Sequence, residues 1–143
     1  MASKIFIDTD VIIDLLIDRQ PHAIAASILF DLADKNELKV YTSSLCFNNV
    51  HYILRKELGD RKTRAVIGEL LEIVEVLSVS GKDISNAVTS EFKDFEDAIQ
   101  HSVAISEKGI NAIVTRNTKD YKKSKIAVFN SDTYVQMIVN GAR

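Results

Sequence analysis

The sequence predicts an α/β protein, a three-layer α/β/α sandwich around a central, mostly parallel sheet of four to five strands. Three observations predict it. Short apolar segments alternate along the chain with longer stretches whose apolar residues recur at helical spacing. The short segments, such as Lys-Ile-Phe-Ile at 4–7 and Ala-Ile-Val-Thr at 112–115, are continuous apolar runs. An unbroken run implies burial on both faces, the habit of parallel strands covered by helices. Finally, 143 residues with 46% hydrophobic and 27% charged side chains make one domain, 1–143, with core enough to fold without cross-links.

The elements follow in order. Residues 4–7 form the first strand, which Asp8-Thr9-Asp10 stops; Val11-Ile-Ile-Asp-Leu-Leu-Ile then opens a helix that Asp10 is suited to cap. Pro21 suits the first turn of the next helix, where its missing N–H costs nothing, and Ala25, Ile28, Leu29, Leu32 and Ala33 continue it at helical spacing. Residues 39–42 read as the second strand. Ser43 or Ser44 can cap the helix that runs to about Leu58, which Gly59 ends. A helix over 60–74 carries Val66, Ile67, Leu70, Leu71 and Val74 on one face, and 75–79 is the third strand. One helix runs from Asp83 toward Phe92, another from about Phe95 to Lys108 and stops at Gly109. Strands at 112–115 and 126–129 complete the sheet, and Ser131 caps a last helix.

Composition excludes several classes. With 18 Lys+Arg against 20 Asp+Glu, overall charge does not attract the chain to nucleic acid or membrane, so such binding needs local patches. The single cysteine, Cys46, excludes an intramolecular disulfide and a CxxC metal site; it fits a reducing cytoplasm and a small core position. No apolar run reaches the roughly 18 residues that a membrane span needs, and the opening Met-Ala-Ser-Lys turns straight into a strand rather than a secretory signal. No GxGxxG or GxxxxGK[ST] phosphate loop occurs, and no spacing suggests a Ser-His-Asp or Cys-His arrangement.

Acidic residues carry the chemistry. In a parallel α/β sheet, ligands bind beyond the carboxyl ends of the strands. Asp8 and Asp10 follow the first strand; Thr115, Arg116, Asn117 and Asp120 follow the fourth. Asp94 and Asp97 open a helix on one side of it, where carboxylates also favour the helix dipole. If the first and fourth strands are neighbours, Asp8 lies close to Asn117 and Asp120. Converging carboxylates repel each other unless a cation compensates, and oxygen-only donors suit Mg²⁺ or Mn²⁺ rather than zinc. Asp8 stands out, because a carboxylate directly after a buried strand is costly unless bonded. Asp120 also reads as a solvated residue of a lysine-rich turn. His101, one turn after Asp97, is within reach of the same site, although a lone helical histidine is more often a surface residue. Arg116, Lys119, Lys122, Lys123 and Lys125 flank the site and can hold phosphates. Arg55, Lys56, Arg61, Lys62 and Arg64 read as a solvated helix face.

Four segments in succession resemble the pattern of PIN domains: Ile-Phe-Ile-Asp8-Thr9-Asp10-Val11, Thr-Ser-Ser-Leu-Cys-Phe-Asn48-Asn49, Asp94-Phe-Glu96-Asp97-Ala98, and Val114-Thr115-Arg116-Asn117-Thr-Lys-Asp120-Tyr121. The resemblance covers nearly the whole chain. It implies a Mg²⁺- or Mn²⁺-dependent nuclease acting on RNA. For a short bacterial chain it implies a VapC-type toxin, neutralised by a small antitoxin and usually a homodimer. Carried over by motif, Asp8 is the first metal ligand and Asp97 the acid of the later helix. Asn117 stands where the family often has an aspartate, with Asp120 able to supply the charge. Asn49 stands where the family usually has a glutamate; an amide orients water but brings no charge. The expected site is therefore Asp8, Asp97, Asn49, Asn117 and Asp120, with the metal on Asp8, Asp97 and Asp120. Thr9 and Thr115 orient the carboxylates beside the substrate, and Arg116 and Lys119 hold its backbone. Two rivals remain. One is a non-catalytic PIN-fold module that binds RNA or protein, motivated by Asn49 and Asn117. The other is a haloacid-dehalogenase-type phosphatase, since Asp8-Thr9-Asp10-Val11 also fits that family's nucleophile and acid/base motif, with Thr42 as its second motif.

Overall fold

A computed structural model describes residues 2–141. The elements run β1 (Ser3–Ile7), α1 (Thr9–Leu16), α2 (His22–Asp34), β2 (Leu38–Ser43), α3 (Leu45–Leu58), α4 (Asp60–Leu70), β3 (Glu75–Leu77), α5 (Gly81–Val88), α6 (Phe95–Ser106), β4 (Ile110–Val114), a 3₁₀ turn (Thr118–Tyr121), β5 (Ala127–Phe129) and α7 (Ser131–Gly141). The five strands form one sheet in the order β3-β2-β1-β4-β5, every pair parallel.

The unbroken apolar runs are explained by layers on both faces. Ile5, Phe6 and Ile7 are all fully buried, yet successive side chains of a strand point to opposite faces. Ile5, Ile7, Val40, Ala112 and Val114 pack into one core with residues of α1, α2, α3 and α7. Phe6, Tyr41 and Ile113 pack into the other with α5, α6 and Tyr121. The sheet edges, β3 and β5, are the shortest strands, with three residues each, and are only partly covered, as suits edges that must not pair further.

Element existence agrees with the sequence reading, whereas several ends move. Helix α1 starts at Thr9, and its N-cap is Asp8, not Asp10: the Asp8 carboxylate accepts the Thr9 N–H at 2.7 Å. Pro21 stands at the cap of α2 rather than within its first turn. Ser44 stands at the N-cap of α3, but its side chain makes no capping bond. Ser44 accepts the Val79 N–H across to the chain after β3, and Ser43 bonds Gln100. Helix α4 ends at Leu70, because residues 71–74 turn tightly to start β3. Helix α5 begins before Asp83, in a capping box between Ser80 and Asp83, and stops at Val88. In α7 the cap is Asn130, whose side chain accepts the Thr133 N–H at 2.8 Å; Ser131 is already helical. Gly59 and Gly109, the expected helix stops, adopt φ of 81° and 98°, a region that only glycine enters without strain.

Candidate active site

β1 and β4 are neighbours, with Ile7 beside Val114. From β1 the chain builds outward to β2 and β3 on one side and to β4 and β5 on the other. A crevice opens at such a reversal, beyond the carboxyl ends of the strands. Here it is a cleft of about 340 Å³. It is lined by Asp8, Thr9 and Asp10 from the β1–α1 junction, Asn49 and Ile53 from α3, Asp94, Glu96 and Asp97 from the start of α6, and Arg116 and Asn117 after β4.

Asp8 sits at the bottom, 4% exposed. Its carboxylate accepts from the Thr9 N–H at 2.7 Å, the Thr115 hydroxyl at 2.9 Å, the Tyr121 hydroxyl at 3.2 Å and the Gln100 amide at 3.5 Å. Such bonds are what a carboxylate behind a buried strand requires. Burial still outweighs them and raises its pKa above the ordinary value. Asp10 accepts the Arg116 N–H at 3.2 Å and lies 3.4 Å from the Thr115 hydroxyl. That hydroxyl has one proton, so the shorter contact to Asp8 takes it. Burial and then the charge of Asp8 push Asp10 up to about 7.

The buried Tyr121 hydroxyl lies 3.2 Å from Asp8 and 3.4 Å from Asp97, so one phenol spans carboxylates from opposite halves of the chain. Burial, followed by the charges of Asp8, Asp94, Asp120 and Glu96, pushes Asp97 up to about 8. Asp94 caps α6 by accepting the Asp97 N–H at 2.9 Å, which fixes Asp97 at the cleft floor. Glu96 is raised by burial and by Asp8, and it accepts from the Asn49 amide at 3.3 Å. The cleft therefore holds more negative charge than its buried environment tolerates.

The expected site residues fall into two groups. Asp8, Thr9, Asn49, Asp97, Arg116 and Asn117 converge on the cleft. Thr115 is fully buried beneath it, its hydroxyl taken by Asp8 and by the Asn117 N–H, so it positions a carboxylate without facing the opening. Arg116 is half-buried, its Nε 2.8 Å from the Asp14 carboxylate, an ion pair that anchors it to α1. Asp120 and Lys119 are exposed on the 3₁₀ turn outside the cleft lining, although the charge of Asp120 is felt at Asp97. His101 does not reach the cleft; its Nε2 accepts the Lys125 N–H at 3.0 Å on the far side of α6. Cys46 is buried against Thr42, and burial pushes its thiol up to about 12, in keeping with a core residue.

Sequence reasoning passed over Glu96, Gln100, Tyr121 and Asp14. Glu96 had a signal, since it lies beside Asp97 in an acidic helix start. Gln100 follows Asp97 by one turn on the same face. Tyr121 and Asp14 had none, because their partners come from other segments.

A model of the PIN domain matches residues 4–119, a span holding every residue that lines this cleft. The chain belongs to the PIN domain family. Its curated relative "Ribonuclease VapC1" of Aquifex aeolicus (strain VF5) is 25% identical over 140 residues, covering 94% of this chain and 95% of that one. The fold is shared with a toxin–antitoxin complex from Klebsiella pneumoniae (TM-score 0.66, 22% identity, 89% of this chain and 97% of that one). It is also shared with VapC20 of Mycobacterium tuberculosis, described as a sarcin–ricin loop cleaving toxin (TM-score 0.59, 22% identity, 76% and 86%). Membership of the PIN family sets aside the phosphatase alternative, and the geometry agrees. Thr42, its second motif residue, is fully buried, donates to the Ile7 carbonyl at 3.2 Å and is not part of the cleft lining. Among the described residues of this PIN domain, no helix is long and apolar enough to cross a membrane.

Proposed function

We propose that this PIN domain is a Mg²⁺- or Mn²⁺-dependent endoribonuclease that hydrolyses RNA phosphodiester bonds in the cytoplasm, and that it is the toxin of a toxin–antitoxin pair. One observation carries the reading. Asp8 and Asp97, distant in sequence, meet at a single phenol beside an acidic cleft; burial raises both carboxyls, and the charges of Asp8 and its acidic neighbours raise Asp97 further. Such a cluster is relieved by a divalent cation. The donor set fits one: it is all oxygen, with the Asn49 and Asn117 amides beside the carboxylates. Among the described residues no three acidic, histidine or cysteine side chains form a ready cage. Mg²⁺ does not need such a cage, because one or two protein carboxylates suffice when water and substrate oxygens complete its shell. Asp8 and Asp97 would hold it, with Asp10 and Glu96 in the same lining and the charge of Asp120 reaching Asp97 from outside it. When bound, it supplies Lewis acidity to the phosphodiester and to the attacking water.

The chain's own groups do the rest. Thr115, Gln100 and Tyr121 fix the Asp8 carboxylate in one orientation. Glu96, raised by burial and held by Asn49, borders the cleft and is placed to take a proton from water. Thr9 at the cleft wall and the Arg116 and Lys119 cations beside it bind the RNA backbone. The names of its relatives support an RNA substrate and an antitoxin partner; a homodimer is the expected assembly.

Asp8→Asn tests the reading. Mg²⁺-dependent cleavage of single-stranded RNA should fall at least about a hundredfold, as expected where a cation-binding carboxylate is lost, with the circular dichroism spectrum unchanged. Full activity in this variant removes Asp8 from the site. Asn49, where the family usually has glutamate, favours a second reading as a binding module. No Mn²⁺ binding at millimolar concentration, together with no cleavage of varied RNAs, would establish that reading instead.

A further inference from the structure

A second cavity, of about 400 Å³, opens between α5, α6 and the connection from β4 to β5. It lies outside the acidic cleft and its chemistry is different. Its wall is aromatic: the Phe92 ring packs on the His101 ring with centroids 4.8 Å apart. Its rim carries Lys123 and Lys125 against a single acid, Glu91, which faces Lys123 at 3.9 Å. His101 is 7% exposed, and its Nε2 is taken by the Lys125 N–H. The ring proton therefore sits on Nδ1. Nδ1 makes no hydrogen bond among the described residues, and His101 lines the cavity. Burial and the Lys125 charge lower the His101 pKa, which keeps the ring in this neutral, one-donor form.

We propose that this cavity is a nucleotide subsite: the partly exposed Phe92 ring, backed by His101, receives an aromatic base, and Lys123, Lys125 and the His101 Nδ1–H receive its phosphate. Base–aromatic contact combined with lysine–phosphate contact is how sequence-tolerant nucleic-acid sites are built, and 400 Å³ is ample for one nucleotide. Two further observations tie the cavity to the cleft. Arg116, Lys119, Lys122, Lys123 and Lys125 lie along one connection that starts at the cleft and ends at the cavity rim. Phe92 meets the Tyr121 ring edge-on at 5.6 Å, and the Tyr121 hydroxyl donates to Asp8 at 3.2 Å and lies 3.4 Å from Asp97. A strand cut in the cleft can thus place a flanking nucleotide here. That path rests on the ribonuclease reading, whereas the subsite itself does not.

The test is NMR of the His101 ring in the whole protein. It is titrated with AMP and, separately, with a short single-stranded RNA, both in EDTA so that no cleavage intervenes. The His101 signals should shift. Lys123→Ala and Lys125→Ala should each weaken RNA binding and lower the log affinity–log salt slope by about 0.7. These side chains leave the Lys125 N–H bond to His101 in place. Phe92→Leu should weaken binding about tenfold. A shift with AMP supports a free nucleotide as occupant, and a shift with RNA alone supports a flanking nucleotide of the strand. No shift with either, or an unchanged salt slope in both lysine variants, overturns the proposal; so does a shift produced only by an acidic peptide. Cleavage without a His101 shift removes the subsite and keeps the nuclease; a shift without cleavage under any divalent metal does the reverse.

Discussion

Tyr121 holds its phenol between two carboxylates, 3.2 Å from Asp8 and 3.4 Å from Asp97. Burial, together with the charges of Asp8 and Asp97, raises its own pKa far above the ordinary value, so it stays a donor at any working pH. Tyr121→Phe should therefore lower stability by about 1–3 kcal/mol in the absence of divalent metal, the cost of losing a hydrogen bond to a buried carboxylate that keeps its other donors. Urea unfolding measures this, and Mn²⁺ should restore most of the loss; an unchanged midpoint means that the phenol is not relieving the repulsion. Protons and a divalent cation compete for the same carboxylates, Asp97 at about 8 among them. The acid limb of the pH–rate profile should move to lower pH as Mg²⁺ is raised. A limb that stays in place means that these carboxylates do not hold the cation. Asp8 was legible in the sequence because a charge after a buried strand demands an explanation. Glu96 and Tyr121 were less so, since their meaning lies in Asn49 and in Asp8 and Asp97, which arrive from other segments.

At the scale of elements, two short connections carry the site. The β1–α1 junction uses one carboxylate, Asp8, both as helix cap and as cleft floor, and the start of α6 uses Asp94 as the cap that seats Asp97. The sequence pointed to caps at these places but chose the wrong residue at α1 and α7, because Asp, Asn and Ser are near-equal caps and only backbone geometry separates neighbours. This is testable at α7. Asn130→Ala should cost about 1 kcal/mol and Ser131→Ala clearly less, as thermal unfolding will report. The reverse order would restore Ser131 as the cap. Helix α4 was overextended for a related reason: Leu71 and Val74 continue the apolar spacing, yet Val74 is buried as part of the turn into β3.

For the whole molecule, the acidic cleft ties stability to pH. Asp10 and Asp97 have folded pKa values of about 7 and about 8, above the ordinary 3.8, so between these limits the folded state binds more protons than the unfolded one. Stability without divalent metal is then fullest near pH 4 and falls as pH rises through about 7 and about 8. Melting temperatures at pH 5 and pH 8.5 in EDTA should differ in that sense, and the stabilisation by Mn²⁺ should grow with pH; a melting temperature that rises with pH would contradict it. The sequence by itself determined the alternation of strands and helices, the two-sided burial of the sheet and the segments that mark a PIN domain, because these rest on local periodicity and on residues adjacent in the chain. Only the tertiary structure decided which charges meet. Strand β4 pairs with β1 while β3 lies at the far edge. That order brings Asp8, Asp97 and Tyr121 together and leaves Asp120 outside the lining. Coulomb repulsion and hydrogen bonding depend on separation in space, which spacing along a chain does not set.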